Sequence, residues 1–148
     1  MPIRIAGETD IDAWAVLRIA LWPEATLDQH RGEIVAMLAA KNERFVAFVA
    51  PTGAGDIAGF VEASLRYDYV NGCETSPVAF VEGIYVSAEH RGANIGRTLC
   101  MAVEDWARMR GCSELASDAL LANDDSRAFH RAAGFEETER VVYFRKRL

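Results

Sequence analysis

The sequence predicts a single α/β domain over residues 1–148, with a central mixed sheet of six to seven strands flanked by about four helices. Three observations lead to it. An apolar strand pattern at 78–86 passes through a glycine-bearing turn into an amphipathic helix at 94–110. Two further apolar segments, 44–50 and 57–65, are joined by a loop of turn formers and lead into that strand as a meander. A short strand at 114–118 follows the long helix, and a strand separated from another by a helix is its parallel neighbour.

At 148 residues the chain is long enough to bury about 68–70% of its unfolded surface without disulfides or metals. Sixteen basic residues against 22 acidic ones give a net charge of −6, which disfavours nucleic acid and anionic membranes as partners and suits a cationic substrate. An excess of carboxylates also serves solubility alone. Cys73, Cys100 and Cys112 are odd in number and lack metal-ligand spacing, so no metal site is expected, and Cys100 and Cys112 read as small buried hydrophobes. The first residues lack the basic and apolar regions of a signal peptide, and no apolar run approaches the roughly 18 residues that span a bilayer. The expected compartment is the cytosol.

Ile3 and Ile5, alternating with polar positions, predict the first strand, and Thr9-Asp10-Ile11-Asp12 has the form of a capping box. The helix it opens carries Ile11, Trp14, Leu17, Arg18 and Leu21 and stops at Trp22-Pro23, because proline disfavours helical geometry in the residue before it. A second amphipathic helix is predicted over 27–40, with Ile34, Met37 and Leu38 on one side. Past the meander, residues 67–77 form a long connection, aromatic and acidic together, of a length that is commonly functional. A short helix over 123–133 is closed by Gly134, and Val141-Val142-Tyr143-Phe144 is the last strong strand.

The most informative stretch begins at Val78. After Val78-Ala79-Phe80-Val81-Glu82-Gly83-Ile84-Tyr85-Val86 comes Arg91-Gly92-Ala93-Asn94-Ile95-Gly96-Arg97. Gly92 and Gly96 let backbone N–H groups approach a ligand, the following helix presents its positive end, and Arg91 and Arg97 add whole charges. Such a loop suits a pyrophosphate; the alternative is a plain structural turn. Glu82 lies inside an otherwise apolar strand, where an unpaired carboxylate costs several kcal/mol. It must therefore face a polar cleft, a cation or a partner, or else belong to a buried ion pair. Asp118 ends the next strand, where open sheets bind ligands, although caps and turns use Asp as well.

Arg91-x-x-Asn94-x-Gly96 after a buried strand resembles the coenzyme A pyrophosphate loop of the GNAT N-acetyltransferases, written Gln/Arg-x-x-Gly-x-Gly/Ala. Asn94 stands where the family usually has Gly, and Asn is the next residue most tolerant of positive φ. Tyr69-Val70-Asn71-Gly72, Ser76-Pro77-Val78, Glu82-Gly83, Ala116-Ser117-Asp118 and the run from Gly134 to Val141 extend the likeness over essentially the whole chain. Together these motifs resemble the aminoglycoside 6′-N-acetyltransferases of antibiotic resistance. The resemblance implies the GNAT fold, a cytoplasmic homodimer, and acetyl-CoA as cosubstrate without a metal. It implies that Trp22, Tyr69, Glu82, Asp118 and Glu139 line the aminoglycoside site. It implies further that Ile84, Tyr85, Val86, Arg91, Gly92, Ala93, Asn94, Ile95, Gly96, Arg97 and Asn123 hold acetyl-CoA. An aromatic or histidine contact expected just after Trp22-Pro23 is replaced by Glu24 and Ala25. Among the catalytic candidates, Glu82 would accept a proton from the amine, and Asp118 would orient the polycation. His130 occupies the position where many family members place a proton-donating Tyr; a structural role favoured by the helix dipole is the alternative. Rival readings are an acetyltransferase for a polyamine or protein N-terminus, and a non-catalytic acyl-CoA sensor. No Gly-x-x-x-x-Gly-Lys-Ser/Thr loop is present to support a nucleotide triphosphatase.

Overall fold

The computed structural model describes residues 2–148. Strand β1 (Arg4–Ile5) leads through a 3-10 turn at Glu8–Asp10 into α1 (Ile11–Leu21) and α2 (Leu27–Ala40). The meander β2 (Phe45–Pro51), β3 (Ile57–Arg66) and β4 (Val78–Val86) follows, then α3 (Ile95–Met109), β5 (Leu115–Ala116) and α4 (Asp124–Ala132). The described strands form one five-stranded sheet in the order β1-β2-β3-β4-β5, antiparallel except for the β4–β5 pair.

Two apolar layers cover the sheet. On one face α3 contributes Ile95, Leu99, Val103 and Trp106 against Val46, Ala58, Val61 and Val81. On the other, Trp14, Leu17 and Ile34 of α1 and α2 pack on Val49, Ile57 and Phe60. The apolar stripes read in α1, α2 and α3 are therefore largely the buried faces, although Met109, read as the last member of the α3 stripe, is 85% exposed. Cys100 and Cys112 lie in the interior as expected, and burial pushes the Cys100 thiol up to about 12.

Three expectations need correction. The predicted strand at 114–118 pairs only at Leu115 and Ala116, and among the described residues the sheet has five strands rather than six or seven, because 141–144 joins no ladder. Its β-forming residues are real, but a strand needs a neighbour, and within one chain none is offered: Val142, Tyr143 and Phe144 are 77%, 83% and 91% exposed. The first helix is not opened by a box at Thr9. Asp10 is its N-cap, without a side-chain cap bond into the helix; Gly7, extended at φ −137°, caps the preceding 3-10 turn, and the Asp10 carboxylate turns back to accept the Gly7 N–H at 2.8 Å and a two-pronged bond from Arg4 at 2.7 and 2.8 Å. The capping box that does form opens α2, where Thr26 and Gln29 exchange side-chain to backbone bonds.

Candidate active site

The site is organised by one irregularity in the sheet. Across the β3–β4 ladder Glu62 faces Gly83 and Ala63 faces Val81, so Glu82 is an extra residue with no partner, the bulged position of β4. Beyond the bulge the two edges of β4 differ. One continues to pair with β3 as far as Val86 opposite Gly59, while the other pairs with β5 only at Ala79 and Phe80. Residues 81–86 thus leave a free edge beside β5, the kind of edge an extended ligand arm joins by adding hydrogen bonds.

Glu82 is not in a buried ion pair. Its side chain is 34% exposed, accepts from Ser64 Oγ, and pairs with Arg66 at 3.0 Å. Arg66 in turn lies 3.5 Å over the Phe80 ring. Ser64 and Arg66 also line an open groove between the end of α2 and the end of β3, with Met37, Arg44, Tyr67 and Tyr69. Tyr69 is 75% exposed on the connection after β3. That connection is tied down at both ends. Ser76 Oγ donates to the Tyr67 carbonyl, and Glu114 accepts from the N–H groups of Glu74 and Thr75 at 2.9 and 2.8 Å and from the Thr75 hydroxyl. The Thr75 hydroxyl and the Glu74 N–H lower the Glu114 carboxyl below its ordinary range.

Next to the bulge, Gly83 makes room for Trp22. A β-carbon there would stand 2.4 Å from Trp22 Cζ2, so the six-membered ring of the indole comes close against the β4 backbone. Similarly Gly72, at φ +81°, faces Thr138: a β-carbon would meet Thr138 Oγ1 at 2.1 Å. The C-terminal segment is thereby held against the loop that carries Tyr69, and Glu139 is its next residue. Asp118 and Glu139 are exposed and form no salt bridge among the described residues.

At the other end of the free edge, Gly92 has φ +88° and Asn94 φ +60°, so Asn94 takes the left-handed conformation expected of it and caps α3. The first N–H groups of α3 have no partners within the helix, as at any helix start. Arg91 folds back to donate Nε–H to the Val86 carbonyl at 3.0 Å, leaving the rest of its guanidinium for an anion, and Arg97 is exposed. These features fit a pyrophosphate with the arm behind it directed along Ile84, Tyr85 and Val86. Gly96 has a structural reason to be glycine as well, because a β-carbon would stand 2.9 Å from Phe129 of α4. Asn123 is the cap of α4, accepting the Ser126 N–H at 3.1 Å. His130 donates Nδ1–H to the Ser126 carbonyl at 2.6 Å and sets Nε2 2.7 Å from Ser117 Oγ.

Sequence reasoning missed a buried polar cluster behind Trp22. Glu62 is 4% exposed, Arg18 6% and His30 2%. Arg18 Nη1 donates to both Glu62 oxygens at 3.0 and 2.9 Å, and Trp14 Nε1–H adds a third bond at 2.9 Å. Arg18 Nε reaches His30 Nδ1 at 3.1 Å, Nη2 pairs with Glu33, and His30 Nε2 reaches the Trp22 carbonyl at 3.0 Å. Burial raises the Glu62 carboxyl above its ordinary value, with Arg18 and Trp14 opposing. Removing one partner would strand a buried charge, at a cost of about 3–5 kcal/mol. The signal was present: Glu62 is a carboxylate in an otherwise apolar strand segment, and Arg18 sits among the apolar positions of α1.

Comparison with known proteins follows the same lines. A family model described as the acetyltransferase (GNAT) family matches residues 11–135. The chain is 49% identical over 146 residues, 99% of each chain, to an aminoglycoside N(6′)-acetyltransferase type 1 of Serratia marcescens. It superposes with a TM-score of 0.92 on the apo aminoglycoside antibiotic 6′-N-acetyltransferase AAC(6′)-IG of Acinetobacter haemolyticus, at 41% identity and covering 100% of this chain and 99% of that one. It superposes with a TM-score of 0.91 on AAC(6′)-Iy in complex with the bisubstrate analog CoA-S-monomethyl-acetylneamine, at 41% identity over 99% of this chain and 98% of that one.

Proposed function

From the premise that this chain belongs to the acetyltransferase (GNAT) family, we propose that it transfers acetyl from acetyl-CoA to the 6′-amine of aminoglycoside antibiotics and so confers resistance. The observation that carries this reading is the 49% identity to an aminoglycoside N(6′)-acetyltransferase along 99% of both chains. The neighbour that holds a bisubstrate analog supports direct transfer between the two substrates, with no acyl-enzyme.

In this reading residues 1–148 act as one catalytic unit. The turn from Arg91 to Arg97 receives the pyrophosphate of acetyl-CoA, and the free edge at Ile84, Tyr85 and Val86 takes the arm as an added strand. Asn123 keeps its amide N–H group for the same ligand while its oxygen caps α4. A β4 backbone N–H beyond the bulge polarises the thioester carbonyl. Trp22 forms the floor of the drug site, Tyr69 one wall, and Asp118 and Glu139 offer free carboxylates to a polycation. Glu82, at the bulge between the two ligands, accepts a proton from the amine as it attacks, directly or through one water. Arg66 sets its orientation.

Two finer parts of the reading concern the whole molecule. The exposed apolar run 141–144 offers a strand to a partner chain, which supports a homodimer built on an intersubunit sheet contact or strand exchange. Light scattering should give twice the 16.3 kDa chain mass at micromolar concentration, and a monomer would remove this part. Among the described residues no helix is long and apolar enough to cross a membrane; a cytoplasmic location is part of the proposal.

The direct test is acetyl-CoA-dependent thiol release with kanamycin, tobramycin and amikacin, with the acetylated nitrogen located by NMR. Acetylation at the 6′ nitrogen is expected. Turnover of polyamines or peptides but of none of the drugs would replace the reading with a different amine, and tight acetyl-CoA binding without turnover on any amine would replace it with a sensor.

A further inference from the structure

The buried cluster behind Trp22 touches neither the free β4 edge nor the exposed carboxylates, yet it ends on the residue that forms the floor of the site. Its bonding pattern has one direction. Arg18 Nε–H can only donate, so His30 Nδ1 must accept and carries no proton; the single ring proton is therefore on Nε2, where it donates to the Trp22 carbonyl at 3.0 Å. That carbonyl belongs to the C-cap of α1, at φ −125° and ψ 78°, where the chain leaves the helix before Pro23. Carbonyls at a helix end lack partners within the helix, so His30 supplies one that the backbone does not. The same ring lies 6.4 Å from the Trp22 indole at an interplanar angle of 23°, and the Arg18 guanidinium stands 4.9 Å from the indole centre. Glu62, which anchors Arg18, is the ladder partner of Gly83, the residue against which the indole lies. Both ends of the chain of bonds thus meet at the bulge.

We propose that His30 is a positioning residue for the substrate site: locked as the Nε2–H tautomer by the Glu62–Arg18 pair, it holds the Trp22 carbonyl and so fixes the indole against Gly83 beside Glu82. The proposal rests on the reading of Trp22 as part of the aminoglycoside site. It assigns to the contact between α1 and α2 a function in substrate binding rather than in stability alone.

Three substitutions in the full chain separate these roles. His30→Gln returns an N–H donor near Nε2; His30→Asn keeps an acceptor toward Arg18 but its amide falls short of Trp22; His30→Leu removes both. Ile34→Val, one turn along α2 at a fully buried position, serves as a control for simple loss of packing. Steady-state kinetics with kanamycin and acetyl-CoA should show the KM for kanamycin raised roughly tenfold or more in His30→Leu and His30→Asn, and the KM for acetyl-CoA within about twofold of wild type. His30→Gln should restore most of the loss, and Ile34→Val should lower the thermal midpoint without moving either KM. Equal changes in both constants, or no rescue by Gln relative to Asn, would overturn the proposal. If His30→Leu does not fold, the Gln and Asn pair decides alone.

A second readout is independent of the drug. Fluorine NMR of 5-fluorotryptophan-labelled protein resolves the three indoles, and Trp22→Phe identifies the Trp22 signal. That signal should shift or broaden in His30→Asn and return in His30→Gln, with Trp106 unchanged. Should the wild-type protein fail to acetylate kanamycin, tobramycin and amikacin alike while these shifts appear, the functional reading falls and the positioning of Trp22 by His30 stands. A Trp22 signal indifferent to His30 would overturn the positioning whatever the enzyme acetylates.

Discussion

Replacing Gly83 with alanine adds one methyl group where the structure has no room for it. The new carbon would stand 2.4 and 2.5 Å from Trp22 Cζ2 and Cη2 and 3.0 Å from Leu21 Cδ2. Carbon atoms settle at about 3.5 Å or more, so the indole must retreat by about 1 Å. Its retreat is opposed on several sides: the His30 ring holds its carbonyl, Phe60 meets it edge-on at 6.3 Å, and Arg18 lies 4.9 Å from its centre. Overpacking of this kind costs about 1–3 kcal/mol. For a chain of this length each kcal/mol lowers the thermal midpoint by about 2–4 °C, so a fall of about 2–12 °C is expected in calorimetry. Because the displaced ring is the floor of the proposed drug site, the KM for kanamycin should rise while that for acetyl-CoA changes little. Truncating Trp22 to alanine removes the clash, so Gly83→Ala should cost far less stability in that background than in the wild type. A Gly83→Ala protein with an unchanged midpoint and wild-type kinetics, or fully additive stability losses, would refute the packing argument.

At Asn94, where φ is +60°, alanine should lose about 1–2 kcal/mol to left-handed strain and raise the KM for acetyl-CoA, whereas glycine should be neutral or mildly beneficial; titration calorimetry with coenzyme A checks both. Asp118→Asn and Glu139→Gln should each raise the KM for the drug, with wild-type affinity falling as salt is added, since both carboxylates act through exposed charge. Glu82→Gln should instead lower kcat, with the residual rate climbing with pH as free amine becomes available; an effect on KM alone would make Glu82 a binding residue. Asp10 is held below its ordinary 3.8 by the Arg4 hydrogen bonds, with the Gly7 N–H assisting and burial opposing. A depressed folded-state pKa stabilises above the unfolded value and loses that contribution as pH falls, so Asp10→Asn should cost about 1–2 kcal/mol at pH 7 and the gap should narrow as pH falls below the ordinary 3.8 in urea titrations.

What could be read from the sequence was whatever depends on local pattern. Residues 27–40 and 78–86 form the predicted helix and strand with the predicted bounds, and Asn94 adopts the positive φ its chemistry allows. What could not be read depends on residues far apart in the chain. Nothing local distinguishes Glu62 from Glu82, two carboxylates in apolar strands; only the bulge, with Arg18 behind one and Ser64 and Arg66 beside the other, makes the first a buried anchor and the second half exposed. The strand character of 141–144 is a true local preference without a neighbour to satisfy it. Gly96 was read through its ligand, while its contact with Phe129 required the placement of α4. Thr138 against Gly72, which brings Glu139 to the loop of Tyr69, left no trace in either segment.

The bulge has a consequence for how such a chain can change over generations. A residue outside the ladder contributes nothing to strand pairing, so the side chain at 82 can be exchanged with little disturbance to the sheet. Its neighbours have no such liberty: Gly83 is held by an indole, Glu62 by a guanidinium, and Val81 by the core. One position released from strand pairing is thus set between structurally fixed ones at the point where two substrates would meet. Substitutions at 82, 118 and 139 should therefore be felt in turnover and drug affinity while the fold stands, whereas those at 18, 62 and 83 should be felt first in stability.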